Sequence, residues 1–512
     1  MSITKQDIND LSEIIRKLYL EDNIPWVIGY SGGKDSTATL QLVWMALAEL
    51  PLEKRMHKTV HVISTDTLAE SPVVAKWVEK SLDKMADKAT EDEMPIVPHR
   101  LIPDYNDTFW VNLIGRGYPY PRPNFRWCTE RLKIRPANRF VQDVVSAYGE
   151  VILLLGTRKA ESANRAKTMK YYESLRVRDH LSPNGTMQNE LVFSPLEDWT
   201  DDDVWFFLMQ YKNPWGYSNK DLMTMYRGAT ADGECPLVMS TDTPSCGKSR
   251  FGCWVCTLVE QDKSMAAMIM NDSDKEWMTP LLDFRNHIGD SSKDRERRDF
   301  RRMTGQAHLY KGRLVHGPYK KAVREEWLKE LLTIQRNINE TGPEDFRSLE
   351  LITNEELNRI RRIWLDEKHE FDDSLPGIYE RATGREFVST ADEQDNSFGK
   401  DEWALLHEVC SDIFPDEQLL FEMTARIVDI ERKTALKNRR GVLQSVETQI
   451  KNGFFKDESD AVAYATNRWQ RKKDMGASFD PRAELPEEMR QLEIENEDVQ
   501  ENLLDGEEGC LE

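Results

Sequence analysis

The stretch WVIGYSGGKDSTATLQL, Trp26 to Leu42, constrains the fold of this chain more than any other. Trp26–Gly29 is a short apolar run of the kind that forms a buried strand, and from Ser36 to Leu50 apolar residues recur at helical spacing. Ser31, Gly32, Gly33, Lys34, Asp35 and Ser36 lie between them. Glycines let backbone N–H groups crowd around an anion, and the following helix points its positive end at the same place. Ser31 and Ser36 add hydroxyl donors and Lys34 adds charge. The expectation is an α/β domain with a parallel sheet and a phosphate cradle after its first strand. It is not a Walker A loop. That pattern would need glycine at Ile28 and a hydroxyl residue at Asp35, and a G-x-G-x-x-G dinucleotide fingerprint is also absent.

The rest of the first half fits this frame. Strands are expected at Trp26–Gly29, Thr59–Ser64, Pro95–Leu101, Glu150–Leu155 and Leu191–Phe193, with helical patterns between most of them. Beyond about Gln261 strand signals fade and helices dominate. One opens with a capping box from Thr353 to Glu356. The expected domains are a nucleotide-binding domain over 1–234, a cysteine-bearing segment over 235–260, a basic helical extension over 261–400, a helical region over 401–480 and an acidic tail over 481–512. No apolar run approaches the ~20 residues of a membrane helix. The N-terminus lacks the apolar core of a signal peptide, so a cytoplasmic location is expected.

In a reducing compartment the seven cysteines point to ligands or reactive thiols rather than disulfides. Cys235, Cys246, Cys253 and Cys256 form C-x10-C-x6-C-x2-C, a metal-binding pattern whose thiolates suit Zn²⁺ or an iron–sulfur cluster; spacing alone does not choose. Cys128 stands apart, with Arg126, Arg131, Lys133 and Arg135 nearby in sequence. Neighbouring cations are expected to lower its thiol pKa and favour the thiolate. Net charge is −21, but it is unevenly spread. Residues 481–512 carry 12 acidic against 2 basic groups, whereas Lys293–Arg324 carries 11 basic against 3 acidic. That basic stretch is a candidate for gripping nucleic-acid phosphates.

The hexapeptide Ser31–Ser36 resembles the PP-loop of the ATP pyrophosphatases, which split ATP between its α and β phosphates. GTRKAESANRA, with Gly156, Arg158, Glu161, Ser162 and Arg165, resembles the G-x-R-x-x-E-S-x-x-R motif of the phosphoadenylylsulfate reductase branch. SPLEDWTDDDVWFFL resembles another motif of that branch. STDTLAES aligns with its D-T-G-x-x-x-x-E motif at Asp66 and Thr67, but Leu68 stands where the family has glycine and Glu70 comes early. The resemblance implies ATP held by Ser31–Ser36, Asp66, Gly156, Arg158, Glu161 and Arg165, with Mg²⁺. Lys34, Asp35 and Cys128 are the candidate catalytic residues.

The cysteine quartet, the helical extension and the length narrow the resemblance to the DndC family, the sulfurtransferases of bacterial DNA phosphorothioation. It implies a [4Fe–4S] cluster on the four cysteines, with Zn²⁺ as the alternative. Its substrate would be double-stranded DNA, a cysteine desulfurase would donate sulfur, and other phosphorothioation subunits would be partners. The competing readings are a phosphoadenylylsulfate reductase, a tRNA thiolase and a non-catalytic, nucleotide-bound DNA-binding subunit. The reductase reading draws on Cys510 in the terminal EEGCLE, which is close to, but not, that family's E-C-G-L-H.

Overall fold

The computed structural model describes residues 3–123, 125–185, 189–230, 251–303, 305–310, 313–389, 400–413, 418–435, 441–452, 455 and 457–474. Cys235, Cys246, Cys510 and the acidic tail fall outside the described residues. The chain forms two compact units that do not follow chain order. One comprises 1–104, 128–256 and 261–283; the other comprises 105–127, 257–260 and 284–512. The stretch 105–127, expected within the nucleotide-binding domain, thus groups with the second unit, and 261–283 groups with the first.

The first unit is built on a six-stranded sheet in the order β3-β2-β1-β4-β6-β5. The strands are β1 (Trp26–Gly29), β2 (Val60–Thr65), β3 (Ile96–Leu101), β4 (Val151–Leu154), β5 (Ser182–Pro183) and β6 (Glu190–Phe193). Five are parallel, with Trp26 in register with Val60 on one side and Ile152 on the other. Only the two-residue β5 is antiparallel. It escapes sequence reading because two residues carry no periodicity.

Helices cover both faces, as a parallel sheet requires. On one side α1 (Lys5–Glu21), α2 (Lys34–Ala48), α3 (Pro72–Glu91) and α6 (Asp201–Gln210) supply residues to a core with Trp26, Ile28, Val60, Val62, Ile152 and Leu154. On the other, Val141 and Val144 of α4 (Arg135–Tyr148) pack on Val27 and Val151. Between them in the chain order α4–α6 lies α5 (Ala163–Glu173), and α7 (Asn219–Gly228) follows α6. Twelve of the fifteen residues of α2 are buried, and from Leu42 to Ala48 its sequence is apolar throughout.

Strand order reverses at β1: the chain goes to β2 on one side and later to β4 on the other. In open parallel sheets ligands bind outside the carboxyl ends of the strands at such a switch point. The loop Ser31–Gly33 leaves β1 at that position and leads directly into α2.

In the second unit, Trp110 donates its indole N–H to the Leu351 carbonyl at 2.7 Å, and Trp364 donates to the Ile114 carbonyl at 3.1 Å. The helix Lys321–Thr341 contributes Trp327, Leu328, Leu331 and Leu332 to the interior. The expected capping box is present: Thr353 and Glu356 bond reciprocally at the start of the helix Asn354–Arg362. Much of the basic stretch is turned inward. Arg324 is 2% exposed and bonds Glu370 and the Tyr319 carbonyl. Arg298 bonds Asp294 and the Gly317 and His316 carbonyls. Arg301 pairs with Asp299 and Lys321 with Asp372. A run of charges in sequence says nothing about which way each side chain points, and here several arginines hold the unit's interior together. No helix among the described residues is long and apolar enough to cross a membrane.

Candidate active site

The loop after β1 is shaped by its glycines. Gly32 has φ +71°, and a Cβ there would come within 2.5 Å of Val78 Cγ2. Both facts demand glycine. Gly33 caps α2 in an extended conformation with no side-chain cap bond. Ser36 Oγ donates to the Gly33 carbonyl at 3.1 Å and sits 3.2 Å from Ser31 Oγ. The hydroxyls therefore brace the loop as well as facing the cleft beyond it.

That cleft has a volume of about 870 Å³, within the range for a nucleotide-sized ligand. Ser31 to Ser36 form one wall; Ser64, Thr65 and Asp66 at the end of β2, together with Glu70, form another. Glu79, Arg100, Lys133, Arg158, Glu161, Asp201 and Tyr226 complete the polar lining.

Two cations and two carboxylates form its charged centre. Lys34 Nζ lies 3.0 Å from Asp35 and 3.1 Å from Asp201. Arg158 donates through Nε to Asp35 at 2.7 Å, through a second nitrogen to Asp201, and through a third to the Trp199 carbonyl at 3.1 Å. Lys34 and Arg158 are 6% and 2% exposed. Burial disfavours their charges, but the facing carboxylates outweigh it and hold both pKa values above the ordinary. Burial likewise works against the Asp201 carboxylate, and Lys34 with Arg158 outweighs it and holds that pKa low. The result is a charge-balanced centre whose two buried cations are fixed in place by acidic partners.

Asp201 was not among the expected site residues. Its signal lies in Trp199-Thr200-Asp201-Asp202-Asp203. Thr200 and Asp203 form the capping box of α6, which leaves Asp201, the first residue of the helix, to face Lys34 and Arg158. Sequence alone does not say which of three consecutive aspartates caps and which turns to the cleft.

The other expected nucleotide residues divide. Asp66 lines the cleft, accepts the Leu68 N–H at 2.8 Å and pairs with Arg100. Leu68 has φ +59°. The related glycine motif is thus explained: the turn needs a left-handed residue, and this chain places leucine there at a strain of about 1 kcal/mol. Glu161 lines the cleft and accepts the Arg158 N–H at 2.9 Å. Gly156 is not in the lining. A Cβ there would sit 2.8 Å from the Asp35 carbonyl oxygen and 3.0 Å from Thr39 Oγ1, so its role is close packing of the chain after β4 against the start of α2. Arg165 also lies outside the lining, half exposed, with Glu161 at 3.5 Å.

The cysteine segment meets the cleft at one wall. Cys253 and Glu70 form an antiparallel bridge, flanked by Trp254 N–H to Ala69 carbonyl at 3.1 Å and Ser71 N–H to Gly252 carbonyl at 3.3 Å. Cys253 Sγ lies 3.3 Å from Thr67 Oγ1 and 3.7 Å from Glu70, whose carboxylate also binds Lys133 at 3.2 Å. The Cys256 N–H donates to the Cys253 carbonyl at 3.0 Å, closing a tight C-x2-C turn. Thiolate donors in such a turn suit zinc or iron–sulfur. Among the described residues no three His, Cys, Asp or Glu side chains gather as a metal site; two of the four expected ligands lie outside those residues.

Cys128 departs from expectation in its acidity. Burial dominates and pushes its thiol pKa up, and the nearby Cys256 adds to this. Lys133 interacts with Cys128 but is bound to Glu70, Arg135 pairs with Glu130, and Arg126 donates to the Pro123 carbonyl, so burial wins.

Residues 25–216 match the family model of the phosphoadenosine phosphosulfate reductase domain. Over 201 residues the chain is 26% identical to Uncharacterized protein MJ0066 of Methanocaldococcus jannaschii. That match takes in 39% of this chain and 35% of the other, so the chain spans about a third of the length of the curated relative it matches. Among solved structures, the U34-tRNA thiolase NcsA from Methanococcus maripaludis with its [4Fe-4S] cluster aligns at 13% identity, over 56% of this chain and 78% of that one, with a TM-score of 0.27.

Proposed function

We propose that this PP-loop chain is an ATP-dependent sulfurtransferase that acts on the DNA backbone. The observation that carries the reading is the shared wall: Glu70 lines the anion cleft and pairs with Cys253 on its other side. Nucleotide activation and sulfur chemistry then have neighbouring sites in one unit.

In this reading Ser31–Ser36 hold the β and γ phosphates of ATP with Mg²⁺, and Lys34 and Arg158 neutralise charge on the departing pyrophosphate. A non-bridging oxygen of a DNA phosphate attacks the α-phosphorus. The α–β bond breaks, and the substrate oxygen is left carrying AMP. A sulfur nucleophile then attacks the substrate phosphorus: sulfide gives the phosphorothioate directly, whereas a persulfide gives a P–S–S–cysteine adduct that a second thiol, acting as reductant, cleaves to phosphorothioate and a disulfide. The P–S bond forms, the P–O bond breaks, and AMP leaves with that oxygen. Adenylation is needed because a phosphodiester oxygen is otherwise a poor leaving group. Cys235, Cys246, Cys253 and Cys256 would hold the [4Fe–4S] cluster, or zinc. Cys128, near Cys256, would carry the sulfur or shape the substrate pocket. A cysteine desulfurase supplies the sulfur, and other phosphorothioation subunits complete the system in the cytoplasm.

The test is ATP-dependent incorporation of ³⁵S from a cysteine desulfurase reaction into duplex DNA, run beside tRNA and adenylylated sulfate. Label in DNA, with pyrophosphate released in step and both abolished by Asp35→Ala, supports the reading. Label only in tRNA would make the chain a thiolase. Sulfite from adenylylated sulfate would make it a reductase. Absence of pyrophosphate release with DNA and partner proteins present would leave a nucleotide-bound DNA-binding subunit.

A further inference from the structure

The helix α5 has no buried residue, which is unusual for a helix leading out of a binding cleft. At 100° per residue its positions fall into two faces. Ala166, Met169, Tyr172 and Glu173 are half-buried and lie on the inner face. Asn164, Lys167, Lys170, Tyr171 and Ser174 are exposed and lie on the outer face. Glu173 is the helix's single acid, and it turns inward to Lys159 at 3.3 Å and Arg176 at 3.6 Å. The outer face therefore carries two lysines, an exposed tyrosine and neutral hydrogen-bonding groups, without a carboxylate. Neither Lys167 nor Lys170 has an ion-pair partner among the described residues, whereas Lys34, Lys133, Arg100 and Arg158 around the cleft are all paired.

Its location adds meaning to this charge. Ala160 and Glu161, which line the cleft, lie within one turn of the start of α5, and Ser162 caps it by accepting the Arg165 N–H at 3.2 Å. The helix thus begins at the cleft mouth and extends away from it. Lys167 and Lys170 are about 4.5 Å apart along its axis, against roughly 3.4 Å of rise per nucleotide on one strand of a duplex. Two successive backbone phosphates can be met by these two lysines, with the Tyr171 hydroxyl available to a phosphate or sugar oxygen. In a chain of net charge −21, a carboxylate-free basic face beside the candidate active site has a plain electrostatic complement.

We propose that the outer face of α5, through Lys167, Lys170 and Tyr171, docks the phosphate backbone of duplex DNA and leads it to the cleft. The proposal rests on the DNA reading of the function and adds the surface that delivers the substrate. It assigns this role to α5 rather than to the Lys293–Arg324 stretch, much of whose charge is spent within the second unit.

The test is fluorescence anisotropy of a labelled duplex against the full-length protein over a series of salt concentrations. It compares wild type with Lys167→Glu/Lys170→Glu, with Lys167→Arg/Lys170→Arg, and with Lys5→Glu/Lys17→Glu on α1 as a control of equal charge change. ATP binding and circular dichroism establish that each variant is folded. The glutamate pair on α5 is expected to weaken DNA binding at least ~10-fold and to reduce the slope of log affinity against log salt by about 1.8, two contacts at ~0.9 each. The arginine pair should bind as wild type does, and the α1 pair should stay within about twofold. Wild type that binds duplex, with the α5 and α1 glutamate pairs indistinguishable, overturns the docking face and leaves the function reading standing. Wild type that binds tRNA but not duplex overturns both.

Discussion

Replacing Asp201 by asparagine tests the charged centre of the cleft directly. The substitution keeps the side chain's shape and removes a carboxylate shared by Lys34 and Arg158. Both cations stay buried with only Asp35 to compensate them. Breaking a fully buried ion pair costs ~3–5 kcal/mol. The Asp201 side chain is 29% exposed, so water screens part of that, and a loss of about 2 kcal/mol is expected. Anion binding should move the other way. Removing one negative charge from roughly 6 Å of a bound phosphate, at an effective dielectric constant of ~40, is worth ~1.4 kcal/mol, or a tenfold tighter grip on pyrophosphate. Pyrophosphate at saturation should therefore restore much of the lost stability.

Denaturant unfolding followed by tryptophan fluorescence, with and without pyrophosphate, reads the first effect, and titration calorimetry reads the second. The pH dependence gives an independent check. Because the folded pKa of Asp201 is held below its ordinary value of 3.8, its contribution is present above about pH 4 and lost as pH falls below that. Wild type and variant should converge as pH falls through the lowered folded pKa of Asp201. A variant as stable as wild type at pH 7, or one that binds pyrophosphate no more tightly, would refute the account of the network.

Other perturbations probe separate parts of the molecule. Gly156→Ala would press a methyl group into the Asp35 backbone and should destabilise by about 1–3 kcal/mol while weakening ATP binding; the same scan and calorimetry report both. Burial raises Glu356 to about 7, so the stability of its protonated form is complete below pH ~4.5 and is lost as pH rises through 7, by about 3 kcal/mol in total. Glu356→Gln should flatten stability between pH 5 and 7.5 in urea titrations of the full chain. Cys128→Ser should abolish sulfur incorporation while pyrophosphate release persists; full incorporation would remove Cys128 from the chemistry. Anaerobically purified protein should be brown, absorbing near ~400 nm, and colourless protein with bound zinc would replace the cluster assignment.

Sequence legibility follows the range of the forces involved. The five parallel strands were readable to within a residue or two because each is a local apolar run between breakers. The loop Ser31–Ser36 is legible because a tight turn from strand into helix draws its glycines and hydroxyls into one contiguous run. The packing role of Gly156 is not legible in sequence because the atom that demands glycine there, the Asp35 carbonyl oxygen, is more than a hundred residues away in the chain. The cations beside Cys128 in the chain predict an acidic thiol, yet burial, with Cys256 nearby, pushes its pKa up. Within the basic stretch Arg298, Arg301 and Arg324 are bound inside the second unit, a direction that a run of charges in sequence does not show.

By itself the sequence determined the strand–loop–helix cradle, the parallel α/β frame and the presence of a cysteine pair at C-x2-C spacing. These depend on neighbours within a few residues, where periodicity and backbone preference act. Tertiary structure decided that Asp201 rather than Asp203 turns to Lys34, that Glu70 joins the cleft to Cys253, and that Lys167 and Lys170 share the exposed face of α5. Those choices depend on which side chains meet across distant segments, and charge pairing and burial are settled only when the segments pack.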